Sequence, residues 1–156
     1  MNPITVYRPS VLVWFTRLAP AIALLLLQAV LAPAHAQALT STDEKNVRTV
    51  VEGQLAAFAK DDAKKAFSFA APNVREAVGD APAFLAMVKR DYPVVYRPGS
   101  VAFLKVEGKG DDALQRVQML DASGNSWLAV YSLQRQKDKS WRITGCVVVE
   151  NKGRMA

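Results

Sequence analysis

The sequence contains a single cysteine and a single histidine, and these two shortages exclude several kinds of chemistry. Cys146 has no second cysteine to pair with, so no disulfide within the chain can stabilise the fold. His35 lies in a segment that we expect to be removed, which leaves the remaining chain without an imidazole. A Ser-His-Asp triad, a Cys-His pair and a histidine-rich metal site are therefore excluded for that shortened chain. We expect no metal and no cofactor.

A strong excess of one charge is also missing. The formal net charge is +6, and it falls to +4 (18 basic against 14 acidic residues) if Arg8 and Arg17 are removed with the leader. Charged runs such as 61–65 and 137–139 mix both signs, as a solvated surface does. The sequence has no glycine-rich phosphate loop and no basic strip with interleaved aromatic residues. We therefore expect no binding to nucleic acid.

The first 36 residues have the pattern of an export signal. Basic residues end at Arg17, an apolar run covers 18–31, and small residues stand at Ala34 and Ala36, ahead of Gln37. Cleavage is predicted between Ala36 and Gln37. This run is 14 residues long, shorter than the roughly 20 apolar residues that span a bilayer. We expect a periplasmic or secreted product without a stable membrane span, and an uncleaved anchor is the alternative.

A first helix is predicted from Ser41 to about Lys60, at the start of a single domain over 37–156. Ser41 and Glu44 have the spacing of a capping box, in which each side chain bonds the other residue's backbone amide. Apolar residues then recur at intervals of three and four, which predicts one buried helix face. These residues are Val47, Val50, Val51, Leu55, Phe58 and Ala59.

Two further helices are predicted after the first. Asp61 can cap a short helix that must end near Pro72, because proline disfavours helical backbone in the residue before it. Residues 73–78 can add one or two turns. Asp80 can cap a longer helix that ends before Pro93.

From residue 100 onward the apolar pattern changes to the alternation of strands. Four segments separated by turn residues predict an antiparallel meander: 101–107, 113–121, 126–134 and 140–149. In the third strand, the row predicted to face the helices is Trp127, Ala129, Tyr131 and Leu133. In the fourth, alternation predicts a row of Trp141, Ile143, Gly145, Val147 and Val149. Helices followed by an antiparallel sheet indicate an α+β domain with a core over about 43–149.

Several segments resemble known proteins. Residues 54–62 and 66–72 are similar to the two-helix opening of the nuclear transport factor 2-like (SnoaL-like) superfamily. Later residues resemble an uncharacterised bacterial family, domain of unknown function 4864. They are Phe84, Tyr92-Pro93, Val117-Gln118, Asp121, Gly124, Tyr131, Leu133 and Trp141-Arg142-Ile143-Thr144-Gly145-Cys146. The resemblance covers about 47–149. It implies a cone in which a curved sheet wraps the first helix and leaves a pocket, and it brings no established activity and no catalytic residues.

Enzymes of the superfamily, such as ketosteroid isomerase and scytalone dehydratase, resemble this outline and place aspartate, tyrosine or histidine in the pocket. In this chain, Asp91 could serve as a base and Tyr92 or Tyr96 as a hydrogen-bond donor to a developing enolate, around a loop that contains proline. The competing interpretation makes Asp91 a solvated charge at a helix end and Tyr92 a packing residue.

Four residues are candidates for ligand binding. Trp127 and Tyr131 share one face of a predicted strand, where an aromatic cluster can form either core or a ligand platform. Tyr96 and Arg142 are candidates for polar groups that orient a ligand. Cys146 is expected to be a small buried residue, and Arg142, on the same face by alternation, is the cation that could make its thiol reactive.

The sequence leaves two functions open. The first is an exported binding or accessory domain, without enzymatic activity, that takes a small apolar ligand or a protein partner and forms a homodimer through its exposed sheet face. The alternative is an isomerase or dehydratase that uses an aspartate and a tyrosine. The two differ in whether Asp91, Tyr92 and Tyr96 point into one pocket.

Overall fold

The described part of the chain forms five helices before its first strand. The computed structural model describes residues 37–152, and the predicted leader with its cleavage site after Ala36 lies outside them. The helices are α1 (Ser41–Ala59), α2 (Ala63–Ser68), α3 (Pro72–Val78), α4 (Ala81–Asp91) and α5 (Pro93–Tyr96). Within residues 37–152, no helix is long and apolar enough to cross a membrane.

The capping box of α1 lies one residue earlier than predicted. Thr40 is the N-cap, and its hydroxyl accepts from the Asp43 amide over 3.1 Å, while Asp43 Oδ2 accepts from the Thr40 amide over 3.2 Å. The predicted pair of Ser41 and Glu44 is therefore wrong. Contacts with the sheet favour the capping box of Thr40 and Asp43 over that of Ser41 and Glu44, because Asp43 is only 7% exposed and also bonds side chains of the sheet.

The turn after α1 also differs from the prediction by one residue. Asp62, and not Asp61, caps α2, accepting from the Lys65 amide over 2.9 Å. Asp61 has a φ of 55°, a left-handed conformation that aspartate tolerates better than most residues. The Asp61 carboxylate is thereby free to bond other elements.

The later helices follow the prediction more closely. Asp80 caps α4, accepting from the Ala83 amide over 2.8 Å, and α4 ends before Pro93. The segment expected to be a loop forms α5, with Pro93 in the first turn, where a missing amide hydrogen costs nothing. Tyr92 is both the last cap of α4 and the first cap of α5, so it is the joint between the two helices.

Five strands form one antiparallel sheet in the described residues. They are β1 (Ser100–Phe103), β2 (Glu107–Lys109), β3 (Asp112–Leu120), β4 (Ser126–Arg135) and β5 (Trp141–Glu150). The order is β1-β3-β4-β5, and β2 also pairs with β3. The single strand predicted over 101–107 is thus two. Between them, the Leu104 carbonyl accepts from Gln115 Nε2 over 2.8 Å.

A bulge interrupts β5. Ser132 of β4 pairs with Gly145, but the next residue, Leu133, pairs with Ile143, so Thr144 is an extra residue in β5. Because side chains alternate between the faces of a strand, one extra residue reverses which face every later side chain takes.

The bulge makes the predicted single row of β5 wrong. Trp141 and Ile143 are buried under the helices as predicted. After the bulge, Cys146 pairs with Tyr131 and joins the buried face, whereas Val147 and Val149 are 62% and 47% exposed on the outer face.

The core lies between α1 and the inner face of the sheet. In β4, the predicted inward row holds for Ala129, Tyr131 and Leu133, which are buried, while Trp127 is half-buried at one end. In α1, the buried apolar residues are Val47, Val51, Ala57 and Phe58. Val50 and Leu55 are half-buried, and Ala59 at the helix end is exposed, contrary to the prediction.

Candidate functional site

An apolar cavity of about 280 Å³ lies between the helices and the inner face of the sheet. Helices α1, α3, α4 and α5 contribute to its wall, and β4 and β5 line it from the sheet side. Most lining side chains are aliphatic or aromatic, among them Phe58, Val74, Phe84, Met87, Val88 and Ile143. A concave, mostly apolar space with a few polar groups is typical of a site for a small molecule.

The polar side chains that line this cavity carry no charge at neutral pH. They are Gln54, Tyr92, Tyr131, Thr144 and Cys146. Among the described residues that line it there is no aspartate, glutamate, lysine or arginine. The cavity can therefore offer hydrogen bonds but no counter-charge.

Tyr131 is the most unusual of these groups. It is 1% exposed, and its hydroxyl has no hydrogen-bond partner within residues 37–152. A buried hydroxyl without a partner costs about 1–3 kcal/mol. Burial, reinforced by the neighbouring Cys146, raises the pKa of Tyr131 well above its usual value, so the phenol stays protonated.

Cys146 lies beside Tyr131 on the next strand, in register with it. Burial raises the pKa of the Cys146 thiol to about 12, and the nearby Tyr131 hydroxyl offsets only part of this effect. The two groups are neighbours that influence each other's pKa but form no hydrogen bond, since the Tyr131 hydroxyl is without a partner among the described residues. The thiol is therefore neutral and a poor nucleophile.

Two glutamines are also buried in this region. Gln54 of α1 lines the cavity, donates from Nε2 to the Ala66 carbonyl over 3.2 Å, and receives no hydrogen bond at Oε1 from a described residue. Gln115 of β3 pairs with Tyr131 and is fully buried. Both escaped the sequence prediction. The sequence contains a signal for each, because Gln54 lies on the apolar face of α1 and Gln115 lies among the residues of β3 that alternation turns toward the core.

The structure places only part of the predicted catalytic set at the cavity. Tyr92 lines it and also lines an outer groove of about 540 Å³. Asp91 lines only the outer groove, where both its carboxylate oxygens accept from Arg90 over 2.7 Å. The bonded Arg90 guanidinium lowers the pKa of Asp91, which is the opposite of what a desolvated base requires.

Tyr96 lines neither space and belongs to a polar cluster beside the outer groove, which Arg97 of the same cluster lines. Its hydroxyl donates to Asp61 Oδ1 over 2.6 Å, and Lys89 and Arg97 bond the same carboxylate over 2.7 and 3.0 Å. The bond from Lys89 is the main cause that lowers the pKa of Asp61. The cluster ties the turn between α1 and α2 to α4 and α5, so the structure places Tyr96 at a joint between helices and not at the cavity.

Trp127 and Arg142, the other two predicted ligand-binding residues, also lie outside the cavity. Trp127 lines the outer groove and donates from Nε1 to Asp121 Oδ2 over 3.0 Å. Arg142 donates to the Ser68 carbonyl over 2.5 Å and lines a separate surface groove. The bulge at Thr144 puts Arg142 and Cys146 on opposite faces of β5, which corrects the expectation that they share one. Of the four predicted ligand-binding residues, Tyr131 lines the cavity.

Within residues 37–152, no group of three or more histidine, cysteine, aspartate or glutamate side chains is placed to hold an ion. Three of the aspartates near the cavity and the outer groove are bonded by other side chains: Asp91 by Arg90, Asp61 by Lys89 and Arg97, and Asp121 by Trp127.

The fold is similar to that of a solved structure. An NTF2-like protein of unknown function from Shewanella baltica OS155 is 12% identical, with a TM-score of 0.50, over 74% of this chain and 99% of that one. An NTF-2 like protein of unknown function from Burkholderia xenovorans LB400 is 10% identical, with a TM-score of 0.49, over 72% and 88%. No curated protein matches the sequence.

The family comparison extends over most of the chain. The model described as domain of unknown function (DUF4864) matches residues 40–156, which include every helix and strand described above. The α+β fold, with helices on a curved antiparallel sheet, agrees with the architecture of the NTF2-like protein from Shewanella baltica OS155. The chain belongs to the DUF4864 family, a domain of unknown function.

Proposed function

We propose that this domain binds a small, largely apolar molecule in the cavity beneath α4, as an exported binding or accessory domain without catalytic activity. The observation that carries the proposal is an apolar space of about 280 Å³ whose lining residues include Tyr131, a buried tyrosine whose hydroxyl lacks a partner among the described residues. An engineered cavity of about 150 Å³ binds benzene, so a space of this size suits a ligand of about ten heavy atoms.

Binding is favoured over catalysis by the protonation of the lining groups. General acid-base catalysis is most efficient when the pKa of the group lies near the working pH. The pKa of Cys146 is raised to about 12, and the pKa of Tyr131 is also raised. Asp91, the base of the isomerase or dehydratase alternative, lines the outer groove instead.

Native mass spectrometry of gently purified protein tests the proposal without a guess about the ligand. We expect an adduct of small mass that is lost on denaturation. Val78→Phe, which fills the cavity from α3, should abolish the adduct, whereas Val101→Phe, at an exposed valine of β1, should retain it. Thermal unfolding of both variants checks that each is folded. A protein without an adduct that also gives no calorimetric heat with neutral or charged nine-carbon compounds would contradict the proposal.

Export is the second part of the proposal, and it rests on the leader pattern of the sequence. Protein recovered from a periplasmic extract should have an intact mass that begins at Gln37, since Ala34 and Ala36 have the required spacing. A start at Leu39 would indicate the competing register, in which Ala36 and Ala38 precede the cut. Protein that keeps its N-terminal methionine and stays in the membrane fraction would overturn a periplasmic or secreted location.

The partner we propose is a second copy of this chain, bound through the outer face of the sheet. Val147 and Val149 are exposed there, and they pair in register with Val130 and Leu128 of β4. Sedimentation of the wild type should show a dimer, which Val147→Asp should dissociate and Val101→Asp, on β1, should not. A wild-type monomer at high protein concentration would contradict this proposal.

A further inference from the structure

We propose that the cavity selects an uncharged ligand with one oxygen-bearing head group, an alcohol or a ketone, and that the Tyr131 hydroxyl binds that oxygen. This inference rests on the proposed binding function and adds to it the chemical class of the ligand. It follows from the position of Tyr131, from what its neighbours already bond, and from the absence of charge among the described lining residues.

Tyr131 is available because its neighbours in the sheet do not bond it. Gln115, its partner on β3, uses Nε2 to bond the carbonyls of Leu104 and Arg116 over 2.8 and 2.9 Å. Gln115 Oε1 and the Tyr131 hydroxyl are both buried without a partner among the described residues, so the two do not bond each other. Since Tyr131 lines the cavity, a ligand oxygen that displaces the side chains covering its buried hydroxyl can make the hydrogen bond that the protein leaves unmade.

Gln54 lines the same cavity from the helix side. Its Nε2 is used by the Ala66 carbonyl, and no described residue donates to Oε1. The cavity therefore offers an acceptor as well as a donor, so a hydroxyl head group can use both kinds of bond, whereas a ketone can only accept. Both remain compatible with the cavity.

A charged head group is disfavoured by the same surroundings. Moving a carboxylate or an ammonium group out of water is costly unless an opposite charge or several hydrogen bonds compensate. Asp61, Lys89 and Arg97 do not line the cavity, and they bond one another. A carboxylate should therefore bind at least about a hundredfold more weakly than an alcohol of the same chain length.

Isothermal titration of the full domain with four nine-carbon probes tests this selection at neutral pH. The probes are nonanol, 2-nonanone, nonanoate and nonylamine. We expect binding of the alcohol and the ketone, and at least about a hundredfold weaker binding of the two ions. Nonanoate or nonylamine binding as tightly as nonanol would overturn the inference while leaving the proposed binding function intact. Absence of binding by all four would count against both.

Tyr131→Phe tests the role of the hydroxyl. The variant keeps the ring and removes a buried group without a described partner, so we expect stability to be retained and affinity for nonanol to fall about tenfold. Tyr96→Phe is the matched control, because it removes a hydroxyl that bonds Asp61 outside the cavity. Unchanged affinity in Tyr131→Phe would remove Tyr131 from the head-group site.

Discussion

Trp141 Nε1 donates to Asp43 Oδ1 over 3.4 Å and joins two residues that lie 98 positions apart in the chain. Arg135 Nη2 lies 3.1 Å from the other oxygen of Asp43, and its guanidinium stacks 4.9 Å from the Trp141 ring centroid. The same carboxylate caps α1 through Thr40. One acidic side chain thus fixes the start of the first helix against two strands of the sheet.

Replacing Asp43 by alanine should destabilise the domain by about 2–4 kcal/mol, because it removes a helix cap and leaves buried donors without their acceptor. Urea unfolding measures the loss. Glu44→Ala is the matched control, since Glu44 belongs to the capping box that does not form, and it should change stability by less than about 0.5 kcal/mol. Equal losses in both variants would contradict the observed cap.

Asp121 should make stability depend on pH in the acid range. Bonds from Trp127 and Asn125 are the main causes that lower the pKa of Asp121 from 3.8 to about 2. The unfolded state therefore takes up the proton first as the pH falls, and the contribution of Asp121 is present above about pH 4 and is lost toward pH 2.

Acid titration of Asp121→Asn tests this expectation. The gap in unfolding free energy between the wild type and this variant should narrow as the pH falls from 5 to about 2. Ser123→Ala is a suitable control, because Asp121 accepts from the Ser123 backbone amide and not from its side chain. A gap that stays constant with pH would contradict the assigned shift.

Phe58→Ala should cost about 3–5 kcal/mol, as expected for a fully buried aromatic side chain. Phe58 packs in the core with its ring centroid 5.9 Å from that of Phe84. Trp127→Ala should cost less, because Trp127 is half-buried at the rim of the sheet. Urea unfolding compares the two, and a larger loss for Trp127 would show that the rim carries more of the stability than its burial indicates.

The Cys146 thiol should react slowly in the folded protein. A rise in pKa from 9.0 to about 12 is three pKa units, so the thiolate fraction at pH 8 should be about a thousandfold lower than that of an ordinary thiol. Reaction with a disulfide reagent, followed by absorbance, measures the rate. The same protein unfolded in urea is the control and should react at the ordinary rate. A fast reaction in the folded state would contradict the burial of the thiol.

The fold was predictable where local pattern and tertiary structure agree. The cap at Asp80 and the inward row of β4 are local signals, and both hold. The cap of α1 was missed because Asp43 is selected by contacts with distant strands. The Thr144 bulge was missed because alternation assumes an unbroken strand.

The candidate site was predictable only in part, for a related reason. Tyr131 was found because its row on β4 is regular. Tyr96 and Arg142 were proposed as orienting groups from residue type alone, and the structure shows both engaged elsewhere, with Asp61 and with the Ser68 carbonyl. A polar group remains without a hydrogen bond only if none of its neighbours lies within bonding distance. A single sequence does not give the distances between side chains, so such groups could not be predicted from it.

The extra residue in β5 makes the chemistry of two surfaces depend on one local distortion of the strand. If Thr144 were paired regularly instead of bulging, strict alternation would turn Val147 toward the cavity and Cys146 toward water. Deleting Thr144 would remove the bulge but keep both faces, because Gly145 would remain opposite Ser132 and Cys146 opposite Tyr131. The ligand site and the outer apolar face thus depend on how β5 accommodates one extra residue, and not only on which side chains it carries.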